Sequence, residues 1–275
     1  MKSLYPQDIS PMQLQGILQN AVSPRPIALA STVNKSGDVN LSPFSFYNVF
    51  SSNPPILIFS PARRVRDNTT KHTLENVLEV PEVVIGVVNY AMVQQVSLSS
   101  TEYAEGVNEF VKSGLTMKKS ELVRPPLIAE SPVNFECRVV ETKPLGTGGG
   151  AGNLVICEVL QIHLKEEFLN DDGTLNQIKL DVVARLGGNW YSRNTKENLF
   201  EVPKPLVSQG IGYDELPVEI KNSTVFTGND LGMLSNVESL PGTVFFADED
   251  VHRKAQKLLI EQRIEEAWDL LIVKS

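Results

Sequence analysis

The stretch NLSPFSFYNVFSSNPPILIFSP, residues 40–61, decides the fold of this chain. Polar and aromatic residues alternate through its first half, and a Pro-Pro pair separates that half from the apolar run ILIFS at 56–60. Alternation with a period of two gives a strand one face for a core and one face for polar surroundings. The stretch therefore predicts strands that carry polar groups along one face.

Further strands are predicted on both sides of this stretch. Residues 25–34 and 39–46 flank a polar turn that contains Gly37, which predicts a hairpin. Strand-length runs rich in β-branched residues occupy 56–60, 83–90, 133–142 and 154–164. Because these runs form hairpins and long returns rather than alternating with helices, they predict a mainly antiparallel Greek-key barrel of at least six strands.

The composition limits the partners of the chain. Its 275 residues carry a formal net charge of −8, with 41% hydrophobic and 21% charged residues, as in a folded globular protein. A negative net charge disfavours nucleic acids and anionic membranes, since both attract basic surfaces. The N-terminal residues resemble no signal peptide, and no run approaches the ~18 apolar residues that cross a bilayer. We therefore expect a cytoplasmic protein that binds neither nucleic acid nor membrane.

The cysteines and histidines do not predict a metal site. Cys137 and Cys157 lie in strand-like runs, where a reduced thiol behaves as a small core residue. The three histidines, His72, His163 and His252, are scattered and match no metal-ligand spacing. We predict buried, reduced cysteines and no metal.

Helices are predicted near both ends of the chain. Residues 10–22 have Ser10 as an N-cap and Pro11 in the first turn. From about Asp250 to Leu271, an apolar stripe predicts one long amphipathic helix. This helix belongs to a C-terminal extension, 201–275, which we expect to pack on the barrel domain of residues 1–200 or on a second subunit.

The glycine-rich sequence GTGGGA at 146–151 fits G-x-G-x-x-A, the fingerprint of dinucleotide-binding folds. That fingerprint acts by opening a helix whose N-terminus meets a pyrophosphate. Here a strand-like run follows at 154–164. We therefore reject a dinucleotide site and predict a hairpin loop, with a mobile flap over an active site as the alternative.

Basic and hydroxyl residues are concentrated at 60–76, SPARRVRDNTTKHTLEN, directly before a short helical pattern. A phosphate monoester requires backbone N–H groups at a helix N-terminus, hydroxyls and a cation. Thr69, Thr70 and Thr73 offer the hydroxyls, and Lys71 or Arg66 offers the charge. The simpler alternative is a threonine that caps the helix within a solvated cationic loop.

The alternating segment at 40–55 is also suited to a flat heteroaromatic ligand. An aromatic or apolar wall would stack on the ligand, while Ser45, Asn48 and backbone groups would bond its edge. A half-exposed antiparallel strand would show the same pattern. The segment alone does not separate the two interpretations.

The order of these parts resembles the flavin reductase-like FMN-binding split-barrel family. The resemblance covers about residues 20–195 and is carried by SPRPIALASTV, NLSPFSFYNVFSSNPPILIFSP, TTKHTLENV, EVVIGVVN and VVARLGGNWYSR. It implies a six-stranded antiparallel Greek-key split barrel with flanking helices, which binds FMN at the interface of a homodimer. It also implies an NAD(P)H-dependent flavin reductase that takes NADH or NADPH as donor and supplies reduced flavin to an oxygenase.

The same resemblance assigns the cofactor-binding residues. Those implied for the isoalloxazine ring are Ser45, Phe46, Asn48 and Ser51, and those implied for the phosphate are Ser60, Thr69, Lys71 and Thr73. Arg66 remains a further candidate cation for the phosphate. Arg185 would approach the flavin from a neighbouring strand or form a structural salt bridge. His72 stands where the family pattern has an aspartate, so no side-chain role is assigned to it.

The predicted reaction passes a hydride from NADH or NADPH to FMN, and electrons then go to free flavin, oxygen or another acceptor. Because the cofactor carries this chemistry, we predict no catalytic side chain. The first alternative is a flavin-binding electron carrier or flavin store without efficient nicotinamide turnover. The second is a purely structural barrel that binds no flavin.

Overall fold

A computed structural model describes residues 1–203 and 209–273 of the chain. They belong to two compact units, Met1–Leu199 and Phe200–Ser275. Each unit has its own hydrophobic core. Among the described residues, no helix is long and apolar enough to span a membrane.

The N-terminal unit is built on antiparallel strands. In chain order they are β1 (Ala28–Val33), β2 (Val39–Phe44), β3 (Tyr47–Ser52), β4 (Pro55–Phe59), β5 (Glu82–Val87), β6 (Met117–Lys118), β7 (Leu127–Ile128), β8 (Val133–Pro144), β9 (Asn153–Leu164), β10 (Val183–Arg185) and β11 (Tyr191–Arg193). Seven of them form one sheet in the order β2-β1-β5-β8-β9-β4-β3. The pairs β6-β7 and β10-β11 form two small separate ribbons.

The large sheet is closed by a corner between β2 and β3. These strands are the two edges of the sheet, yet only Ser45 and Phe46 separate them along the chain. Consecutive Cα atoms are about 3.8 Å apart, so the two edges meet at this corner and the sheet curves into a barrel. The segment at 39–46, predicted as one strand, therefore ends at Phe44, and the sheet has seven strands rather than six. The prediction of a mainly antiparallel β fold with flanking helices is confirmed.

Side chains from the strands fill two cores, one on each face of the sheet. In β1, Ala28 and Ala30 face the barrel interior, whereas Leu29 faces the second core. In β5, Val83 and Ile85 face the interior and Val84 faces outward. Both strands are thus covered on both sides, which explains why the runs at 28–30 and 83–85 are apolar without alternation.

The glycine-rich segment and the two cysteines behave as predicted. Residues 145–152 connect β8 to β9 as a hairpin loop, and the strand β9 follows them directly. Cys137 and Cys157 are buried and free. Burial raises the pKa of the Cys137 thiol to about 12 and raises the pKa of Cys157 as well. Both thiols are therefore inert core groups at neutral pH.

The helices of the N-terminal unit lie around the barrel. They are α1 (Pro11–Ala21), α2 (His72–Glu79), α3 (Val93–Ser99), α4 (Glu109–Ser113) and α5 (Gln177–Leu180). The predicted start of α1 is confirmed, because the Ser10 hydroxyl accepts from Gln13 N and the two residues form a capping box. None of the residues of α1 is buried. Met12, Ile17 and Leu18 are exposed, and Leu14 is half-buried.

The C-terminal unit is helical. Its helices are α6 (Val218–Lys221), α7 (Gly228–Leu234), α8 (Glu249–Ile260) and α9 (Ile264–Leu271). The prediction of one long helix from Asp250 to Leu271 is wrong, because the chain turns after Ile260 and Gln262 has a left-handed φ of 61°. A continuous helix would spread its apolar stripe along one line, whereas the turn brings Leu259 and Trp268 into one core.

Candidate functional site

A recess of about 320 Å³ lies beside the corner between β2 and β3. One wall is this corner, and the opposite wall is the loop that follows β4. Helix α1 and the segment between α3 and α4 complete the rim. The lining residues are Gln15, Gln19, Pro43, Phe44, Ser45, Phe46, Ser60, Ala62, Arg63, Arg64, Val65, Arg66, Lys71 and Glu102.

Lys71 is the half-buried cation of this recess. Its ammonium lies 5.2 Å from the centre of the Phe44 ring. Burial first, and then the nearby Arg64 guanidinium, lower the pKa of Lys71, while Glu102 partly offsets them. Within residues 1–203 and 209–273, no ion pair includes Lys71. The lysine is therefore a partly desolvated charge whose stability would increase if an anion bound beside it.

Helix α2 begins at this lysine without a side-chain cap. Lys71 is its N-cap residue, and no side-chain hydrogen bond caps the helix. The three threonines considered for capping bond elsewhere: Thr69 donates to Asp67 Oδ1, Thr70 donates to Glu75 and Thr73 donates to Asn40. The first backbone N–H groups of a helix carry a partial positive charge. The start of α2 therefore offers amide donors next to the Lys71 amine.

Two arginines beside Lys71 share one acidic partner. Glu102 lies 3.0 Å from Arg64 Nε and 2.9 Å from Arg66 Nη2, with one oxygen for each. Hydrogen bonds from Arg66 and Arg64 lower the pKa of Glu102, which is thus ionised at neutral pH. Arg64 also donates to Thr69 Oγ1 at 2.9 Å and to the Thr70 carbonyl. Glu102 is therefore a carboxylate with which an anionic ligand would compete for these cations.

A second, smaller polar recess adjoins the first. It shares Arg64, Lys71 and Glu102 with the larger recess, and its other lining residues are Asn40, Ser42, His72, Thr73, Ser99, Ser100, Thr101, Tyr103 and Glu109. The buried Glu109 carboxylate accepts from Asn40 Nδ2 at 2.8 Å and from Leu41 N at 2.9 Å. Asn40 Oδ1 in turn accepts from the Thr73 hydroxyl at 2.7 Å. A chain of buried polar groups therefore runs from Glu109 to the first turn of α2.

The glycine-rich loop packs against the wall of the larger recess. A Cβ atom on Gly149 would lie 3.0 Å from the Val65 carbonyl oxygen, and one on Gly152 would lie 2.7 Å from Ser60 Oγ. Gly150 N also donates to the Arg63 carbonyl at 3.0 Å. Gly149, Gly150 and Gly152 therefore allow the loop to approach residues 60–65 closely.

The structure brings together half of the residues predicted for the cofactor. Ser45, Phe46, Ser60, Arg66 and Lys71 line the larger recess. Thr73 lies in the adjoining recess, where its hydroxyl is bonded to Asn40.

The other predicted residues lie outside both recesses. The side-chain oxygens of Asn48 and Ser51 accept from the backbone N–H groups of Val49 and Asn53, and Thr69 joins Asp67 to Arg64. Arg185 lies over the Tyr191 ring at 4.6 Å and donates to the Gly188 carbonyl. The sequence offered a structural salt bridge as the alternative role of Arg185, and neither of these two contacts is a salt bridge.

Gln15, Gln19, Glu102 and Glu109 are among the residues of the two recesses that were not singled out from the sequence. Gln15 and Gln19 come from α1, and Glu102 and Glu109 come from the segment around α4. No local pattern marks them, because they approach the Lys71 region only through tertiary contacts. Arg64 had a signal, since it lies in the basic stretch at 60–76, but the candidate cations predicted from that stretch were Lys71 and Arg66.

Comparison with known proteins agrees with this architecture. Residues 21–179 match the model of the Flavin reductase like domain. A protein of Halalkalibacterium halodurans is 36% identical over 75% of this chain and 98% of its own length.

Solved structures show the same fold. Nitrilotriacetate monooxygenase component B from Bacillus cereus aligns with a TM-score of 0.68 and 26% identity, over 74% of this chain and 98% of that chain. The split barrel domain of a Shewanella frigidimarina protein aligns with a TM-score of 0.62 and 23% identity, over 72% and 95%. An FMN-binding protein from Thermus thermophilus aligns with a TM-score of 0.57 and 15% identity, over 73% and 100%.

The family match covers more than half of the chain and includes the β2–β3 corner, the loop after β4 and the start of α2. The seven-stranded antiparallel barrel agrees with the split-barrel fold of the solved structures. This chain belongs to the flavin reductase-like domain family and has its split-barrel fold.

Proposed function

We propose that this chain binds FMN beside the β2–β3 corner and works as an NAD(P)H-dependent flavin oxidoreductase. The observation that carries the proposal is the half-buried Lys71 amine, which forms no ion pair within the described part of the chain and lies at the uncapped start of α2. A phosphate monoester with two negative charges is complementary to this combination of a desolvated cation and free amide donors. The family and the FMN-binding relative from Thermus thermophilus support FMN as the source of that phosphate.

The residues present fit the two ends of such a ligand. The phosphate would meet Lys71, Arg64 and the first amides of α2. The ring would lie in the larger recess against Phe44 and Phe46, where Ser45 and Ser60 supply polar groups. The Asn48 and Ser51 side chains do not line this recess. We therefore propose that Asn48 and Ser51 contact the ring through the backbone of β3 and not through their side chains.

The protein would position the cofactor and shield one of its faces. Bound FMN supplies the redox chemistry, since it can take a hydride from a nicotinamide and pass electrons to a second acceptor. Arg64 and Lys71 hold positive charge at the site, and Gln15 and Gln19 of α1 place amide groups at its rim. Because component B of a monooxygenase is a relative at 26% identity, we propose that an oxygenase receives the reduced flavin.

A homodimer would complete the site. Helix α1 leaves Met12, Ile17 and Leu18 exposed, and the corner and β3 leave Phe46 and Phe50 exposed. Exposed apolar side chains on the elements that line a recess are typical of a surface that a partner covers. Two-fold closure with a second copy is the commonest arrangement of soluble oligomers. The packing of residues 201–275 on the barrel or on that partner stays a prediction.

The experiment that tests the proposal is a flavin titration followed by reduction. The purified protein should be yellow or should bind added FMN with a Kd of at most about 1 μM. Anaerobic NADH or NADPH should then bleach the flavin absorbance near its long-wavelength maximum. Binding without bleaching would favour the electron carrier or flavin store, and a protein that leaves FMN fluorescence unchanged would refute the proposal.

A further inference from the structure

Glu109 is a buried carboxylate that the proposed chemistry does not use. It is 4% exposed, lies at the first position of α4, and bonds Asn40 Nδ2 at 2.8 Å and Leu41 N at 2.9 Å. Asn40 and Thr73 are also buried, and they connect Glu109 to α2. Because Glu109 and Asn40 are 69 residues apart and Asn40 and Thr73 are 33 apart, only the tertiary fold assembles this chain of groups.

While Glu109 is ionised, the hydrogen bonds that connect Thr73, Asn40 and Glu109 have a fixed direction. A carboxylate only accepts, so the Asn40 side chain must turn its NH₂ group toward Glu109 and its oxygen toward Thr73. The single hydroxyl proton of Thr73 is then committed to Asn40 Oδ1. A fully ionised phosphate also only accepts. In this direction, therefore, the Thr73 hydroxyl cannot donate to a phosphate at the start of α2.

We propose that Glu109 takes up one proton when a phosphate group binds at the start of α2, and that the Asn40 amide then turns over. The Glu109 O–H donates to Asn40 Oδ1, Asn40 Nδ2 donates to Thr73 Oγ1, and the Thr73 hydroxyl donates to the phosphate. One proton moves from solvent to Glu109, and Leu41 N still donates to the second carboxyl oxygen. This inference rests on the proposed FMN site and assigns Glu109 the role of a positioning residue.

The charges around Glu109 agree with this role. Burial raises the pKa of Glu109, and the hydrogen bonds from Leu41 and Asn40 and the charge of His72 only partly offset it. The other ionisable groups of the same recess are Arg64, Lys71, Glu102 and Tyr103. A bound phosphate would add negative charge beside Glu109 and would favour its protonated form further. Phosphate binding therefore favours protonation of Glu109, and protonation of Glu109 favours phosphate binding.

Calorimetry of FMN binding in two buffers of different ionisation enthalpy measures the number of protons taken up. At about pH 8 the phosphate is fully ionised, because its second pKa is about 6. The wild-type protein should take up a fraction of a proton with FMN, on the order of 0.3–1. Riboflavin, which lacks the phosphate, should cause no uptake.

Three variants test whether Glu109 positions the Thr73 hydroxyl for the phosphate or only stabilises the fold. Glu109→Gln should abolish the uptake with FMN, and Thr73→Val should abolish it while weakening FMN binding by about three- to ten-fold. Glu105→Gln, a change at an exposed glutamate of the same segment, should keep the wild-type uptake. Thr73→Val covers the case in which Glu109→Gln does not fold.

The failure of this inference differs from the failure of the proposed function. FMN that binds without proton uptake in the wild-type protein would overturn the inference and leave the FMN site standing. Equal uptake in the wild type and in the Glu109→Gln or Thr73→Val variants would overturn it as well. A protein that does not bind FMN at all would refute both.

Discussion

The Lys71 ammonium lies 5.2 Å from the centre of the Phe44 ring, on the same side of the barrel as the Arg64 guanidinium. A contact of this kind contributes about 0.5–2 kcal/mol, whereas burial and the charge of Arg64 both lower the pKa of Lys71. The protein thus keeps a partly desolvated cation next to another cation. An anionic ligand would relieve both unfavourable effects.

Lys71→Ala should weaken FMN binding by about ten- to a hundred-fold, since a charge-assisted bond to phosphate contributes about 1.5–3 kcal/mol. Riboflavin, which carries no phosphate, should lose much less affinity. Quenching of flavin fluorescence measures both. Lys35→Ala removes an exposed lysine from the turn between β1 and β2. This variant is the matched control and should leave both affinities unchanged. Equal losses for FMN and riboflavin in Lys71→Ala would mean that the phosphate lies elsewhere.

Glu102→Gln should tighten FMN binding by about three- to ten-fold, because it removes a negative charge that competes for Arg64 and Arg66. The effect should decrease with added salt, since Glu102 is half-exposed. Glu105→Gln makes the same change of charge nearby and should have a much smaller effect. Weaker FMN binding in Glu102→Gln would show instead that Glu102 holds the arginines in position for the ligand.

The protein should sediment as one species near twice the 30.4 kDa mass of the chain. Ile17→Glu places a charge on the exposed apolar side of α1 and should shift the species toward monomer and release FMN. Gln13→Glu, on the same helix but outside the recess, is the control for added charge, since glutamate also fits the capping box with Ser10. A wild-type monomer that keeps FMN fully bound would disprove the dimer and leave the FMN site intact.

Glu136→Gln should destabilise the protein at neutral pH by about 1–3 kcal/mol. Glu136 is fully buried. Burial alone would raise the pKa of this carboxyl, but hydrogen bonds from Glu121 N, Leu122 N, Val123 N and the His163 ring lower it overall. A lowered pKa means that the stabilisation is complete above the unfolded value of about 4.5 and is lost as pH falls through the folded value. Thermal unfolding at several pH values should therefore show the difference between the proteins shrinking in acid.

Gln262→Gly should leave stability unchanged or raise it by up to about 1 kcal/mol, because glycine adopts the left-handed conformation of Gln262 without strain. Gln262→Val should lower stability, since a β-branched residue is disfavoured there. Urea unfolding of the full chain measures both. A continuous helix through this position would give the opposite result for glycine, which costs about 1 kcal/mol in a helix interior.

The sequence determined the local structure of this protein. The strands, the capping box at Ser10, the hairpin at 145–152 and the basic stretch before α2 all follow from neighbours within a few residues. Propensity, turn chemistry and capping act at that range. The family resemblance could be recognised for the same reason, because the motifs that carry it are short and contiguous.

Only the tertiary structure decided which groups meet at the candidate site. Glu102 reaches Arg64 across 38 residues, and Glu109 reaches Asn40 across 69. The Thr73 hydroxyl bonds Asn40 rather than capping α2, and the α8–α9 turn replaces one predicted helix. Burial of apolar surface and pairing of distant charges drive these choices, and their energies depend on closure of the barrel and on core packing rather than on any sequence window.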